Sequence, residues 1–325
     1  MIRLPSADRE PVTTNGTIAV ANLHAQIAGL AAEGRRAGPG SASAPLAVAT
    51  RVLLIDLLLL RGEVLGRIAD YERAEELAGE LVNGAPDDGR AWLARARTRA
   101  TFHRFTEAMA DLETAGQNGV DRTTVDAERA PVLQAVGCYW HALVLCEEAA
   151  KRRPGFTTLG ALAVLQAEHG EVTQAEYLFH QARSCYQDIS PFPLASLDYR
   201  RGLMWLGQGD LTAARSWFAA AQRRVPAYAP ALGHLAEVDA AIGNHQDAIS
   251  RLRLLASSSD DPQYAVGLAR VLGAAGYHQE ARQWHDRAAA RHAELILRHP
   301  EAFAHHAADF RADAAEPSAR FAQAS

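Results

Sequence analysis

Small residues recur along this chain at a nearly constant interval, and no other feature constrains its fold as strongly. The first register consists of Ala74, Ala108, Ala142, Ala175, Ala214, Ala248 and Ala281, at intervals of 34, 34, 33, 39, 34 and 33 residues. A second register lies twelve residues ahead and consists of Gly62, Ala96, Ala130, Ala163, Gly202, Ala236 and Ala269. Packed helices lie about 8–10 Å apart, and small facing residues permit that approach. This period therefore predicts a solenoid of stacked helix pairs.

Turn residues fall between the two registers. Five residues before the alanine of the first register, glycine stands at Gly137, Gly170, Gly209, Gly243 and Gly276. Glycine takes the positive φ that ends a helix, so these positions predict the turn within each pair. Ala69 and His103 occupy the turn position in the first two units. Pro131 lies inside a first helix, which we expect it to kink or shorten.

Together these residues resemble the tetratricopeptide repeat. The unit that ends at Pro226 shows the family spacing at Gly202, Trp205, Gly209, Leu211, Ala214, Phe218, Ala221 and Pro226. The resemblance covers roughly residues 50–290. It implies an all-α, right-handed superhelix of about seven helix pairs with a C-terminal capping helix, in which each unit packs only on its neighbours.

The same register divides the chain into three parts. Residues 1–45 form an N-terminal arm, with a helix over 17–33 and a Gly/Ser/Pro linker. Residues 46–312 form the superhelix, and residues 313–325 form a flexible tail. The predicted units lie near 55–88, 89–122, 123–155, 156–194, 195–228, 229–261 and 262–299, with a cap over 300–312. The single long interval points to the loop with Tyr186 and Phe192, which either contacts a partner or closes an irregular joint as a hydrophobic plug.

Composition narrows the function classes. The formal net charge is −5 and the pI is about 6.2, which argues against nucleic-acid binding. The N-terminus lacks a secretory h-region, and no apolar run approaches about 20 residues, so we expect a cytoplasmic protein without a membrane segment. Lys151 is the only lysine among 33 basic residues, a bias typical of GC-rich bacterial genomes. Cys138, Cys146 and Cys185 show no CxxC spacing, which favours packing over redox or metal chemistry.

No catalytic motif occurs. The chain has no GxxxxGK, GxGxxG, HExxH or GxSxG sequence, so we expect neither an enzyme nor a cofactor. Histidines supply the one alternative. His299, His305, His306 and Asp309 cluster around Pro300, where they form either a weak candidate metal site or a polar, solvated cap.

The resemblance also nominates a binding surface, because the first helices of tetratricopeptide units line a concave groove. Its groove positions fall here on Arg90, Leu93, Arg97, Gln134, Val164, Tyr199, Leu203, Leu206, Glu237 and Arg270. Arginines between Arg90 and Arg104 either bind partner carboxylates or phosphates, or neutralise Glu75, Glu76, Asp87 and Asp88 within the chain. The lysines and asparagines of the family's chaperone-binding clamp are absent from these positions, so a co-chaperone role of that type is not expected.

These observations predict a non-catalytic scaffold that holds a peptide or helix of an acidic, amphipathic partner protein in its groove. Two alternatives remain open at this point. One is a metal-binding or catalytic protein that uses the C-terminal histidines. The other is a regulatory module of a signalling or transcription complex. The sequence does not indicate the oligomeric state.

Overall fold

The computed structural model describes residues 11–37 and 45–304, and the regular structure in these ranges is entirely helical. The helices are α1 (Gly16–Ala37), α2 (Pro45–Leu65), α3 (Ile68–Gly84), α4 (Gly89–Thr101), α5 (Phe105–Gln117), α6 (Arg122–Ala135), α7 (Tyr139–Arg152), α8 (Phe156–Glu168), α9 (Val172–Ser184), α10 (Phe192–Gly207), α11 (Leu211–Arg224), α12 (Ala229–Ala241), α13 (His245–Ser258), α14 (Pro262–Ala274) and α15 (His278–Arg298). From α2 onward they form seven successive pairs. The predicted all-α solenoid of seven helix pairs is therefore confirmed.

The small residues of both registers lie where the helices of a pair approach most closely. In the first register Ala74, Ala108, Ala142, Ala175, Ala214 and Ala248 are completely buried. At Gly202 on α10, an added Cβ would lie 2.5 Å from Cε1 of Phe218 on α11. At Gly62 on α2, it would collide with the ring of Tyr71 on α3. Steric exclusion at the helix–helix contact is thus the physical cause of the sequence period.

The turns follow the predicted register except in the first pair. His103 takes the glycine position of the second pair and adopts a positive φ of 58°, a conformation costly for most side chains. In the first pair the turn is formed by Gly66, with φ of 62°, and not at Ala69. Helix α3 consequently begins at Ile68. The distance from the start of the helix to the alanine of the first register is about one turn longer in α3 than in the other second helices. Pro131 does not shorten its helix, since α6 continues to Ala135.

The described residues divide into two compact units. Unit 1 contains residues 11–20 and 129–226, and unit 2 contains residues 21–37, 45–128 and 227–304. The core of unit 1 is built around Leu165, Phe179 and Met204, with the alanines of α7 and α9 between them.

Asp198 is buried in unit 1 and accepts hydrogen bonds from Arg183 (2.5 Å) and Arg224 (3.3 Å). Burial raises the pKa of Asp198, and the two guanidiniums oppose this shift.

In unit 2 the first helix pair packs directly against the last pairs, contrary to the expectation that each repeat packs only on the neighbouring repeats. Tyr228, just before α12, donates a hydrogen bond to Glu63 on α2 (2.8 Å). Asp260, between α13 and α14, accepts bonds from the backbone N–H groups of Ile68 (2.6 Å) and Ala69 (2.9 Å). We call this contact of α2, α3 and Phe102 with residues 228 and 259–304 the terminal junction. It covers faces that a linear solenoid leaves to solvent.

An apolar cluster at the terminal junction completes the packing of α15. Ile68 and Phe102 are buried there together with Leu295 and Ala302, and Phe303 packs against them. Part of the predicted cap, residues 300–304, therefore contacts the first two helix pairs. The rest of the predicted cap, including Asp309, lies outside the described residues. No helix within residues 11–37 and 45–304 is both long enough and apolar enough to cross a bilayer.

Candidate partner-binding surface on the first helices

In unit 1 the structure brings two of the predicted groove residues to a single cavity. Val164 on α8 and Leu203 on α10 are both half-buried and line a space of about 500 Å³ between these helices. Its complete lining is Val164, Ala167, Glu168, Gly170, Arg200, Leu203, Met204, Gly207 and Gln208. We call this space the α8–α10 cavity.

The floor and the edges of the α8–α10 cavity differ in character. Met204 is only 5% exposed and supplies an apolar floor, because it belongs to the core of unit 1. Gly170 and Gly207 lie at the ends of the two helices, and a Cβ added at either would meet no atom within 4 Å. The edge is therefore open at the turns, and an entering chain would meet little steric resistance there.

The other predicted residues of unit 1 lie nearby but do not line this cavity. Gln134 on α6 donates a hydrogen bond from Nε2 to Glu168 at the rim. Tyr199 and Leu206 are half-buried on α10. The Tyr199 ring lies 5.8 Å from that of Phe218 and so packs toward α11. Of the predicted groove residues, Val164 and Leu203 thus form the apolar part of the cavity.

In unit 2 each predicted groove residue either forms an ion pair within the chain or packs in the core. Arg97 bridges Asp56 on α2 (2.9 Å) and Glu128 on α6 (2.7 Å). Burial raises the pKa of Asp56, while Arg97 opposes the shift. Arg270 on α14 pairs with Glu237 on α12 (3.4 Å). These pairs join successive first helices across the predicted binding face.

Leu93 does not belong to an accessible surface. It is 8% exposed and packs with Leu112, Ala115 and Val125 in a cluster between α4, α5 and α6. The repeat register places it on the binding face, but the side chain turns into the contact with the next pair. A leucine at this edge gains about 1.5–3 kcal/mol from burial, which favours the core position.

The arginine-rich segment of α4 is neutralised within the chain, the second of the two interpretations. Its ion pairs are Arg90–Asp88, Arg95–Asp111, Arg97–Asp56 and Glu128, Arg99–Asp111 and Glu107, and Arg104–Glu75 and Glu107. Two of the four expected acids, Asp88 and Glu75, take part, whereas Glu76 pairs with Arg73 instead. The hydrogen bond from Arg90 lowers the pKa of Asp88. The segment therefore holds helices together rather than presenting unpaired positive charge.

The long loop before α10 is a hydrophobic plug. Tyr186 is 9% exposed, its ring lies 4.7 Å from that of Phe156, and its hydroxyl donates to the Ser190 carbonyl (2.5 Å). Burial raises the pKa of Tyr186 to about 12. Phe192 begins α10 and is also buried. Of the two hypotheses for this loop, the structure supports the one in which it closes an irregular joint between helix pairs. Neither aromatic ring is available to a partner.

His299, the one described member of the histidine group, is a packing residue. Its ring stacks on Phe102 with centroids 3.8 Å apart, and Nε2 lies 3.2 Å from Oε1 of Glu72. Burial lowers the pKa of His299, and the bond to Glu72 opposes this shift. The other three candidate ligands, His305, His306 and Asp309, lie outside the described residues. Within the part of the chain that the structure describes, no group of three or more His, Cys, Asp or Glu residues is arranged to hold a metal ion.

Sequence reasoning missed Glu168 and Arg200 at the rim of the cavity. A signal for both was present, because Glu168 is four residues after Val164 and Arg200 three residues before Leu203. Residues at these separations share a helix face. The family pattern names only selected groove positions, and these two fall between them.

Comparisons with known proteins identify the fold. No protein-family model and no curated protein matches the chain. Among solved structures, a human IFIT1 dimer with m7Gppp-AAAA is 17% identical, with 75% of this chain and 58% of that chain covered and a TM-score of 0.58. The Cut9 and Hcn1 hetero-tetramer of the APC/C is 16% identical, with 75% and 46% covered and a TM-score of 0.54. The chain thus spans about half the length of these neighbours. It has a tetratricopeptide-repeat-like fold.

Proposed function

We propose that this chain is a non-catalytic interaction scaffold that binds a peptide or helical segment of a partner protein at the α8–α10 cavity. The observation that carries the proposal is the cavity itself, a space of about 500 Å³ with a buried apolar floor. This volume lies within the range of roughly 300–1,000 Å³ that is typical of ligand sites. It accommodates one large apolar side chain together with part of the adjoining backbone.

The energetics favour this place over the rest of the first-helix face. Burying one Leu or Phe side chain of a partner between Val164, Ala167 and Leu203 contributes at most about 1.5–3 kcal/mol, the value for complete burial. In unit 2, by contrast, a partner would have to displace the ion pairs of Arg97 and Arg270. Breaking such part-buried pairs leaves charges without their partners, which costs free energy. Binding energy is therefore concentrated in unit 1.

A protein partner fits the charge distribution better than a nucleic acid does. Human IFIT1, a structural neighbour, is seen with an RNA oligonucleotide. Nucleic-acid binding draws most of its affinity from unpaired Lys and Arg. This chain carries a net charge of −5, and the arginines of α4 are neutralised by Asp and Glu. The same proposal places the protein in a bacterial cytoplasm, working without a cofactor or a membrane.

Selection from a displayed library of random peptides tests the proposal. We expect the full chain to enrich peptides that contain a bulky apolar residue. Leu203→Arg, which puts a long charged side chain into the α8–α10 cavity, should weaken their binding by about tenfold or more. Leu254→Arg is the matched control, because Leu254 is 64% exposed on α13, outside the cavity lining.

Two results would overturn the proposal. One is a failure to enrich any peptide on the folded wild-type chain. The other is equal binding of the enriched peptides to wild type and Leu203→Arg. Circular dichroism of each variant establishes that the helices remain formed, so a loss of binding reports on the cavity.

A further inference from the structure

The rim of the α8–α10 cavity carries two opposite charges that do not neutralise each other. Glu168 stands on α8, and Arg200 stands on α10, and both side chains are exposed. Glu168 accepts a hydrogen bond from the neutral Gln134 amide. Among the described residues, neither Glu168 nor Arg200 forms an ion pair.

This arrangement differs from that of the other charges on the first-helix face. Arg97 pairs with Asp56 and Glu128 across adjacent first helices, and Arg270 pairs with Glu237 in the same way. Such pairs neutralise the face in unit 2. On α8 and α10 the opposite charges Glu168 and Arg200 both line the cavity and form no such pair.

The position of Glu168 is also unfavourable for the helix that carries it. Glu168 is the last residue of α8, whose last turn contains no basic residue. The C-terminal end of a helix already has partial negative charge, so a carboxylate there is destabilising. Departures from such local rules concentrate at functional sites. A cation supplied from outside the chain would compensate both the carboxylate and the helix end.

We infer that the bound segment carries a bulky apolar residue flanked by a basic residue on the α8 side and an acidic residue on the α10 side. This inference rests on the proposed function, since it specifies the occupant of the same cavity. The apolar side chain fills the space above Met204. The partner's cation lies against Glu168, and its carboxylate accepts paired hydrogen bonds from the Arg200 guanidinium.

The two rim charges fix the direction of the segment more than they add affinity. Because both are exposed, each contact changes the dissociation constant by only about 1.5- to 5-fold. A segment bound in the reverse direction would place like charges together at both ends of the cavity. Such repulsion selects one orientation and one register.

Charge exchange on selected peptides tests the inference. Peptides enriched on wild type should contain one basic and one acidic residue on opposite sides of the apolar residue. Changing the acidic residue to lysine should weaken binding to wild type by about 3- to 10-fold and should restore it on Arg200→Glu. Changing the basic residue to glutamate should behave in the same way with Glu168→Lys. Amidation of the peptide C-terminus should change nothing, because the recognised carboxylate belongs to a side chain.

Arg223→Glu supplies the matched control for Arg200→Glu, since Arg223 is an exposed arginine of α11 that does not line the cavity. It should leave the binding of every peptide unchanged. Peptides that require Leu203 but tolerate both charge exchanges would overturn this inference and leave the proposed function standing. Peptides that ignore Leu203→Arg would overturn both.

Discussion

Replacing Asp260 by alanine should open the terminal junction of unit 2. The two oxygens of Asp260 accept hydrogen bonds from the N–H groups of Ile68 (2.6 Å) and Ala69 (2.9 Å), the first two residues of α3. The N-cap residue of α3, Arg67, makes no capping bond with its own side chain. Asp260 therefore caps a helix that lies 192 residues away in the chain.

The size of the effect follows from three contributions. Loss of an N-cap costs about 0.5–2 kcal/mol, and loss of a negative charge at a helix N-terminus costs about 0.3–1 kcal/mol. Asp260 also pairs with Arg291 on α15 (3.4 Å), a partly buried ion pair that contributes up to about 1 kcal/mol. Because these contributions overlap, we expect Asp260→Ala to lower the free energy of unfolding by about 1–3 kcal/mol.

Urea unfolding followed by circular dichroism measures this difference, and amide hydrogen exchange locates it. Exchange should accelerate at Ile68 and Ala69 and also along α15, because Asp260 joins these elements. Asp88→Ala is the control. Asp88 caps its own helix through the N–H of Arg90 (3.0 Å), so its loss should accelerate exchange in α4 alone. Unchanged stability and unchanged exchange at Ile68 in Asp260→Ala would refute the trans-capping argument.

Three further perturbations test other parts of the structure. Burial lowers the pKa of His299 below its usual 6.5, so the folded state favours the neutral ring. The contribution of His299 to stability should therefore be complete above about pH 6.5 and should decline as the pH falls from there through the lowered pKa. Urea unfolding should show this pH dependence for wild type and not for His299→Phe. Gly202→Ala should lower the free energy of unfolding by about 1–3 kcal/mol, because its Cβ meets Phe218. Gly79→Ala, in open space within α3, should raise the free energy of unfolding by about 0.5–1 kcal/mol. Thermal unfolding measures both variants, and shifts of the melting temperature in the same direction would contradict this steric explanation. Tyr186→Phe removes the hydrogen bond to the Ser190 carbonyl and should lower the free energy of unfolding by about 0.5–1.5 kcal/mol in the same assay. It should not alter which peptides are selected, and a changed peptide preference would show that this loop contacts the partner.

The periodic part of the fold was predictable because its cause is local and repeated. Each alanine of the first register meets the same steric limit, so spacing alone located the seven pairs. The long interval between Ala175 and Ala214 was also informative. Its extra residues form the buried joint around Tyr186 and lengthen α10, which begins at Phe192. In the first pair the register failed, because Gly66 and not the residue aligned with Ala69 takes the positive φ.

The terminal junction was not predictable from the repeat. Asp260, Glu63 and His299 meet partners far away in sequence, and each contact occurs once, so no periodic signal marks it. The binding surface was predictable in part. Val164 and Leu203 were nominated by register, but Leu93 turned inward because its exposure depends on the next helix pair. The periodicity of small residues in the sequence indicates which helix face a residue occupies, whereas burial of that residue depends on what packs against the face.

Methyl NMR of the full chain with a selected peptide tests the central claim most directly. On a sample labelled at Leu, Val and Met methyl groups, the peptide should shift the signals of Val164, Leu203 and Met204, which line the α8–α10 cavity. The methyl signals of Val144 on α7 and Leu254 on α13, both exposed and outside that lining, should remain in place. Shifts confined to Val144 or Leu254, with the three cavity residues unchanged, would contradict the assignment of the binding site.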